Sequence, residues 1–266
     1  MSVNYNPVTP TEGLVLCIDP SNPRCYPGSG TTVFDLSGQG NNGTLTNGAS
    51  VVNTGGGRAL DFDGTNDYVL VPNNNSLNFG TAAFSLCAWV QASNPVTNQD
   101  AIFGKDSFAG TSSYAGYLLN VSGTPAKWAF ETRNVVSGSG PDTQLLSVSA
   151  PGTTWTHLAG VREGTSPATL RLYVNGLSDN SATETAITNV TNSTAAIIGA
   201  LNAGLLSQFF NGQLDDIRIY NRALSPSEIR ILASRPGIGL RQERDRQTFY
   251  QTNTRAQNHS LISNMF

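Results

Sequence analysis

The sequence predicts an all-β protein: two antiparallel sheets stacked as a jelly-roll sandwich, with one short helix near the C-terminal end and an extended C-terminal arm. Three observations predict it. Turn-forming dipeptides recur along the chain, and between them short segments alternate apolar and polar side chains. Charged residues make up only 12% of the 266 residues, against about 25% in ordinary soluble domains. Asn, Thr, Ser and Gly take their place, which suits short strands joined by tight turns.

The turns come first. Asn42-Gly43, Asn47-Gly48, Asp63-Gly64, Asn175-Gly176 and Asn211-Gly212 supply residues that tolerate the positive φ of tight hairpins. Between them, in FSLCAWV, Phe84, Leu86, Ala88 and Val90 share one face while Ser85, Cys87 and Trp89 take the other. In LRLYVNG, Leu170, Leu172 and Val174 oppose Arg171 and Tyr173. A period of two with one apolar side marks a half-buried antiparallel strand, and many such strands at short intervals indicate a sandwich. Near Asp215 and Asp216 the alternation slips, because Leu214 lies on the opposite parity from Ile217 and Ile219. Either the strand bulges there or Leu214 precedes it.

One helix is legible. Ser225-Pro226-Ser227-Glu228 places Ser at the N-cap, Pro at the first helical position and Glu three residues after the cap, a capping box. Ile229, Ile231 and Leu232 follow, and Pro236-Gly237 ends the helix, which is expected to plug one edge of the sandwich. After Gly239 the chain turns polar and carries Arg241, Arg244, Arg246 and Arg255. Such a segment buries too little apolar surface to fold alone. It is either a disordered tail or an arm that orders against a partner. The expected organisation is therefore an N-terminal extension over 1–12, a sandwich over 13–233 and an Arg-bearing arm over 234–266.

Bulk properties exclude several function classes. A net charge of −3 lacks the basic field of a general nucleic-acid binder. No apolar run approaches the roughly 20 residues of a helical membrane span. Residues 1–12 show neither the basic nor the apolar region of a secretory signal, so synthesis without one is expected. Cys17, Cys25 and Cys87 are too few for a disulfide scaffold. Either Cys17 pairs with Cys25 across a short loop, or all three are small buried thiols.

Several blocks in order carry a family likeness. LDFDGTNDYV (60–69), FSLCAWV (84–90), WTHLAGVRE (155–163), LRLYVNG (170–176) and FNGQLDDIRIYNRALSPSEI (210–229) resemble the laminin-G-like, concanavalin A-like jelly-roll domains. The opening, GLVLCIDPSNPRCYPGSGTTVFDLSGQGNNGTLTNG (13–48), is similar to domains in structural proteins of tailed bacteriophages and in some bacterial surface proteins. The likeness implies a virion surface location, made in the host cytoplasm. It also implies a structural calcium, with Asp63 and Asp216 as the ligand candidates, since Ca²⁺ collects oxygens from acidic turns. The alternative is that Asp63-Gly64 makes a turn and Asp216 pairs with Arg218 or Arg222.

Catalysis finds little support. Glycoside hydrolases of this architecture need two carboxylates about 5–10 Å apart, and no Glu-x-Asp-x-x-Glu strand occurs. Glu12, Glu131, Glu163, Glu184 and Glu228 are isolated in sequence, His157 sits in a strand, and phosphate-loop and dinucleotide motifs are missing. A lectin site needs an exposed aromatic, for which Trp128 in AKWAF is the candidate, Trp89 and Trp155 being the others. The leading expectation is a non-enzymatic virion structural protein, a capsid decoration or fibre component, held to other virion proteins through its terminal extensions. A homo-oligomer, by analogy a trimer, and a host-surface glycan are further expected partners, with neither nucleic acid nor membrane. The alternative is a carbohydrate-binding, lectin-like module on a bacterial surface protein; a hydrolase with an unfamiliar site is the third reading.

Overall fold

In a computed structural model, the described residues are 9–93, 100–108, 114–135, 140, 142–165, 167–184, 186, 188–202 and 206–234. Through the first half of the chain the strands are β1 (Leu14–Ile18), β2 (Thr32–Val33), β3 (Gly43–Thr46), β4 (Ser50–Thr54), β5 (Gly57–Asp63), β6 (Tyr68–Val71), β7 (Phe84–Ala92), β8 (Ala101–Phe108) and β9 (Tyr114–Ser122). Then come β10 (Lys127–Val135), β11 (Asp142–Leu146), β12 (Thr156–Glu163), β13 (Thr169–Val174) and β14 (Leu177–Thr183). The last are β15 (Ala196–Ile198), β16 (Leu201–Asn202), β17 (Leu206–Ser207) and β18 (Asn211–Tyr220), followed by the helix α1 (Pro226–Ser234).

Among the described residues these strands form two eight-stranded sheets and the small β16–β17 hairpin. One sheet runs β14-β13-β12-β7-β18-β5-β4, with β1 also on β18; the other runs β11-β10-β9-β8-β15-β6-β3-β2. Strand β18 organises the first sheet. Along one edge it pairs with β7, while along the other β5 meets Asn211–Leu214 and β1 meets Ile217–Tyr220. The register on β7 shifts between Asp215 and Arg218, and Asp216 adopts φ 47°. The parity slip in the sequence is thus a bulge, placed where the edge partner changes.

The core lies between the sheets and uses the predicted parities. Phe84, Leu86, Ala88 and Val90 of β7 and Leu170 and Leu172 of β13 meet Tyr117, Leu119, Trp128 and Phe130 from the opposite sheet. Phe84 packs within 5.0 Å of Tyr117 and 5.9 Å of Phe130, centroid to centroid. Each such buried side chain contributes roughly 1.5–3 kcal/mol of transfer free energy. Gly160 is required where it stands, because a Cβ there would meet the Phe130 ring at 2.5 Å.

The turn predictions divide. Asn47 (φ 61°) and Asn175 (φ 52°) do take the left-handed conformation ahead of their glycines. Asn42-Gly43 and Asn211-Gly212 do not close hairpins; Gly43 opens β3 and Gly212 lies inside β18. Gly212 serves close backbone approach instead, since a Cβ there would stand 2.2 Å from the Gln91 carbonyl oxygen. Helix α1 begins as the capping box requires: Glu228 N donates to Ser225 Oγ at 3.3 Å, and Ser225 N donates to Glu228 Oε2 at 2.8 Å. It does not plug an edge. Leu224, Ile229 and Leu232 pack onto Cys87, Ala159, Val161, Tyr173 and Tyr220, on the outer face of the first sheet. The three cysteines are free and buried, so the Cys17–Cys25 bridge is not formed.

Candidate functional site

The second sheet has an outer face of its own. Trp128 and Phe130 of β10 and Tyr117, Leu119 and Val121 of β9 point into the core. By strand alternation, Glu131 and Arg133 of β10, Asn120 and Ser122 of β9, and Asp142 and Gln144 of β11 point the other way. There they line a depression of about 270 Å³, together with Asp106 of β8, Tyr114, Gln208 and Leu201 of the β16–β17 hairpin.

Arg133 holds the site together. Its Nη1 donates to Asp106 Oδ2 at 3.0 Å, Nη2 pairs with Glu131 Oε2, and Nε lies 3.7 Å from Asp142 Oδ1. Its guanidinium also sits 5.5 Å from the Tyr114 ring centroid, a cation–π contact. Around it, Asn120 Nδ2 and Gln144 Nε2 each donate to Glu131 Oε1 at 2.8 Å, and Gln144 also reaches Ser122 Oγ at 3.1 Å. Both oxygens of Glu131 are therefore occupied by protein donors, which leaves neither aimed at a scissile bond. The side chains of Asp106 and Glu131 are 2% and 1% exposed, that of Asp142 38%. The cluster thus grades from a dry floor to a wet rim.

Three polar atoms on that floor and wall have no hydrogen-bond partner among the described residues: Asp106 Oδ1, Asn120 Oδ1 and Arg133 Nε. Buried polar atoms are nearly always paired, so orphan acceptors on two residues that line one depression mark a place suited to a ligand's donors. Burial pushes the Asp106 carboxyl up to about 6, against the pull of Arg133. Gly116 of β9, opposite Asp106 in the β8–β9 ladder, is required for close backbone approach: a Cβ there would stand 2.2 Å from the Lys105 carbonyl oxygen.

The residues singled out from the sequence fall elsewhere. Trp128 is 1% exposed and belongs to the core, so it offers no sugar platform; its parity is that of Phe130. Asp63 and Asp216 are not brought together. Asp63 pairs opposite Asn211, five residues before Asp216 on β18, which at ~3.3 Å per residue is roughly 16 Å. Asp63 Oδ1 accepts from Thr65 N at 2.7 Å in its turn, and Asp216 Oδ1 pairs with Arg218 Nε at 2.7 Å inside the sheet. The two candidates therefore do not share one ion site: the turn engages one oxygen of Asp63, the ion pair one oxygen of Asp216, and no three His, Cys, Asp or Glu side chains group for a metal among the described residues. Trp89 instead stacks edge-on against His157, 5.6 Å between centroids, and burial lowers the His157 imidazole to about 4. Arg241, Arg244, Arg246 and Arg255 lie outside the described residues.

The sequence does carry a signal for this site. Asn120-x-Ser122, Glu131-x-Arg133 and Asp142-x-Gln144 are polar pairs at a spacing of two in three segments. Taken singly each resembles a solvated strand face; together, on neighbouring strands, they make one polar surface. Reading the segments one at a time misses it.

Comparison with known proteins gives the same architecture. A family profile described as the concanavalin A-like lectin/glucanases superfamily matches residues 63–230. No curated protein matches the chain. Among solved structures, the binding domain of Paraclostridial Mosquitocidal Protein 1 is similar at TM-score 0.62 and 16% identity, over 84% of this chain and 52% of that one. Domain 4 of AbnA, a GH43 extracellular arabinanase from Geobacillus stearothermophilus solved in complex with arabinotriose, gives 0.59 and 21%, over 83% of this chain and 98% of that one. The binding domain of botulinum neurotoxin DC, in complex with SialylT, gives 0.59 and 13%, over 84% and 52%. This chain spans about half the length of the toxin domains it matches. At these identities the likeness shows the fold. No helix among the described residues is long and apolar enough to cross a membrane.

Proposed function

Because the chain belongs to the concanavalin A-like lectin/glucanases superfamily, we propose that it is a carbohydrate-binding module whose ligand lies against the outer face of β8–β11. The pair of orphan acceptors, Asp106 Oδ1 and Asn120 Oδ1, carries this reading. A sugar presents adjacent hydroxyls, each able to donate and accept, and planar side chains such as Asp, Asn, Gln and Arg match them in pairs. Leu201 gives the depression an apolar lining residue. Its volume of about 270 Å³ lies near the lower end of ligand pockets, roughly 300–1,000 Å³, which suits a short saccharide. The binding domains among its structural neighbours, one with arabinotriose and one with SialylT, support a binding role over a catalytic one. So does Glu131, whose oxygens are already engaged by Asn120, Gln144 and Arg133.

The test is a glycan array probed with the full chain and with Gln144→Ala, a change at an exposed residue. Binding to a restricted set of glycans, weakened about tenfold in the variant, is expected. Failure to bind any glycan, with a folded chain, removes the proposal. Where the module is carried is a separate proposal. Attachment to a tailed-phage particle rests on the resemblance of residues 13–48 and on the Arg-bearing arm. Cryo-electron microscopy of purified particles tests it, and absence of the chain from them removes it.

A further inference from the structure

The charge of the groove restricts what kind of sugar it can take. Asp106, Glu131 and Asp142 face a single guanidinium, that of Arg133, and among the described residues no other Lys, Arg or His lines the depression. Asp106 and Glu131 are almost wholly buried there. Negative charge in excess of its counter-charge is expensive away from water, and it is relieved when a cation arrives. The hydrogen-bonding deficit has the same sign. Both orphan oxygens, Asp106 Oδ1 and Asn120 Oδ1, are acceptors, and the one orphan donor, Arg133 Nε, already lies 3.7 Å from Asp142 Oδ1.

Consider the three sugar classes against that floor. A uronic or sialic acid brings a carboxylate, which only accepts hydrogen bonds, toward two acceptors and surplus negative charge. A neutral or N-acetylated sugar brings hydroxyl or amide donors and no charge. A sugar with a free amine brings an ammonium, with three donors and one positive charge. Only the last supplies donors to an orphan oxygen and offsets the surplus charge as well.

We propose that the groove selects an amino sugar in its free-amine, cationic form, binds the N-acetylated form more weakly, and rejects acidic glycans. The proposal rests on the groove being a sugar site. Its test separates the two. Isothermal titration of the full chain at pH 7 compares a β-1,4-glucosamine tetramer, its fully N-acetylated counterpart and a galacturonate tetramer. The glucosamine tetramer is expected to bind about tenfold more tightly than the acetylated one, the worth of one charge-assisted hydrogen bond, with no heat from the galacturonate. Asp106→Asn, which keeps the shape and removes the charge, is expected to abolish most of that preference. Asp142→Asn, at a partly exposed position, makes the same comparison should the first variant fail to fold. Equal or tighter binding of the acetylated tetramer, or binding of the galacturonate, overturns the charge selection and leaves the sugar site standing. An amine preference that survives in both variants overturns it too, since the attraction would then arise elsewhere on an acidic protein. Failure of every glycan in the wider array is the distinct result that removes the site itself.

Discussion

Two of the arginine–carboxylate clusters among the described residues, those of Arg162 and Arg133, differ in whether they are closed. Arg162 of β12 and Glu184 are both fully buried. Arg162 Nε and Nη2 clamp the two oxygens of Glu184 at 3.0 and 2.7 Å; Nη2 also reaches Thr188 O, and Nη1 reaches the carbonyls of Gly80 and Ala82. Thr132 of the opposite sheet donates to Glu184 Oε1 at 2.7 Å. A guanidinium has five N–H donors, and here the acceptors match them. Arg133 is served differently. It spreads over three carboxyl groups and an aromatic ring, keeps an unbonded Nε, and leaves acceptors open on its neighbours. A closed cluster ties loops and sheets together. An open one, lining a depression, is suited to a ligand.

The largest expected effect is on the closed side. Arg162→Met leaves Glu184 buried without its counter-ion, and breaking a buried pair by removing one partner typically costs about 3–5 kcal/mol. Urea unfolding should show a loss of about that size, and adding Glu184→Leu should recover part of it, because the stranded charge is then gone. If the single variant unfolds within ~1 kcal/mol of the parent, the cluster does not carry the structural role assigned to it.

On the open side the expected stability change is smaller and depends on pH. Burial raises the Asp106 carboxyl from 3.8 to about 6, so between those values the folded chain binds more protons than the unfolded one. Stability contributed by this group therefore falls as pH rises through about 4 to 6. By pH 7 the penalty is on the order of 3 kcal/mol, because each tenfold change in proton affinity is worth about 1.4 kcal/mol. Asp106→Asn does not carry that penalty, which is already net of the pull of Arg133. The variant should match the parent at pH 4, where both side chains are neutral, and become the more stable form by pH 7, while losing ligand affinity. Parallel stability curves across that range would show that Asp106 is as closed as Glu184.

This contrast also explains what can be read from the sequence. The fold is legible because its signals are local: FSLCAWV and LRLYVNG announce their faces by a period of two, and Ser225-Pro226-Ser227-Glu228 announces its helix. The groove is not, because Asp106, Asn120, Glu131 and Asp142 come from four strands whose adjacency depends on sheet order. Glu131 is isolated along the chain but has close neighbours across β9, β10 and β11. Trp128 misleads for a simpler reason. In KWAFETR its parity puts it with Phe130, and the polar partners of that strand stand on the alternate positions. The side of α1 is likewise set by the apolar outer face of β7, β12 and β13 rather than by anything in the helix itself.

A third pair fixes the exposed end of the comparison. Arg222 clamps Glu228 at 3.0 and 2.6 Å, and both side chains are about a quarter exposed (27% and 25%). Hydrogen bonds from Arg222, then from Ser225, hold the Glu228 carboxyl down at about 2 despite partial burial. Its folded-state pKa is depressed, so its contribution is present above about pH 4.5 and is lost as pH falls toward 2. Solvent screens such a pair, which limits its share to about 1 kcal/mol or less. Glu228→Gln keeps a side chain able to reach back to Ser225 N and removes the charge. The melting temperature at pH 7 should drop by about 2–4 °C, and the difference should shrink at pH 3. A drop of the same size at both pH values would assign the effect to the cap alone, and the Arg222 clamp would then join the closed-but-idle pairs common on protein surfaces.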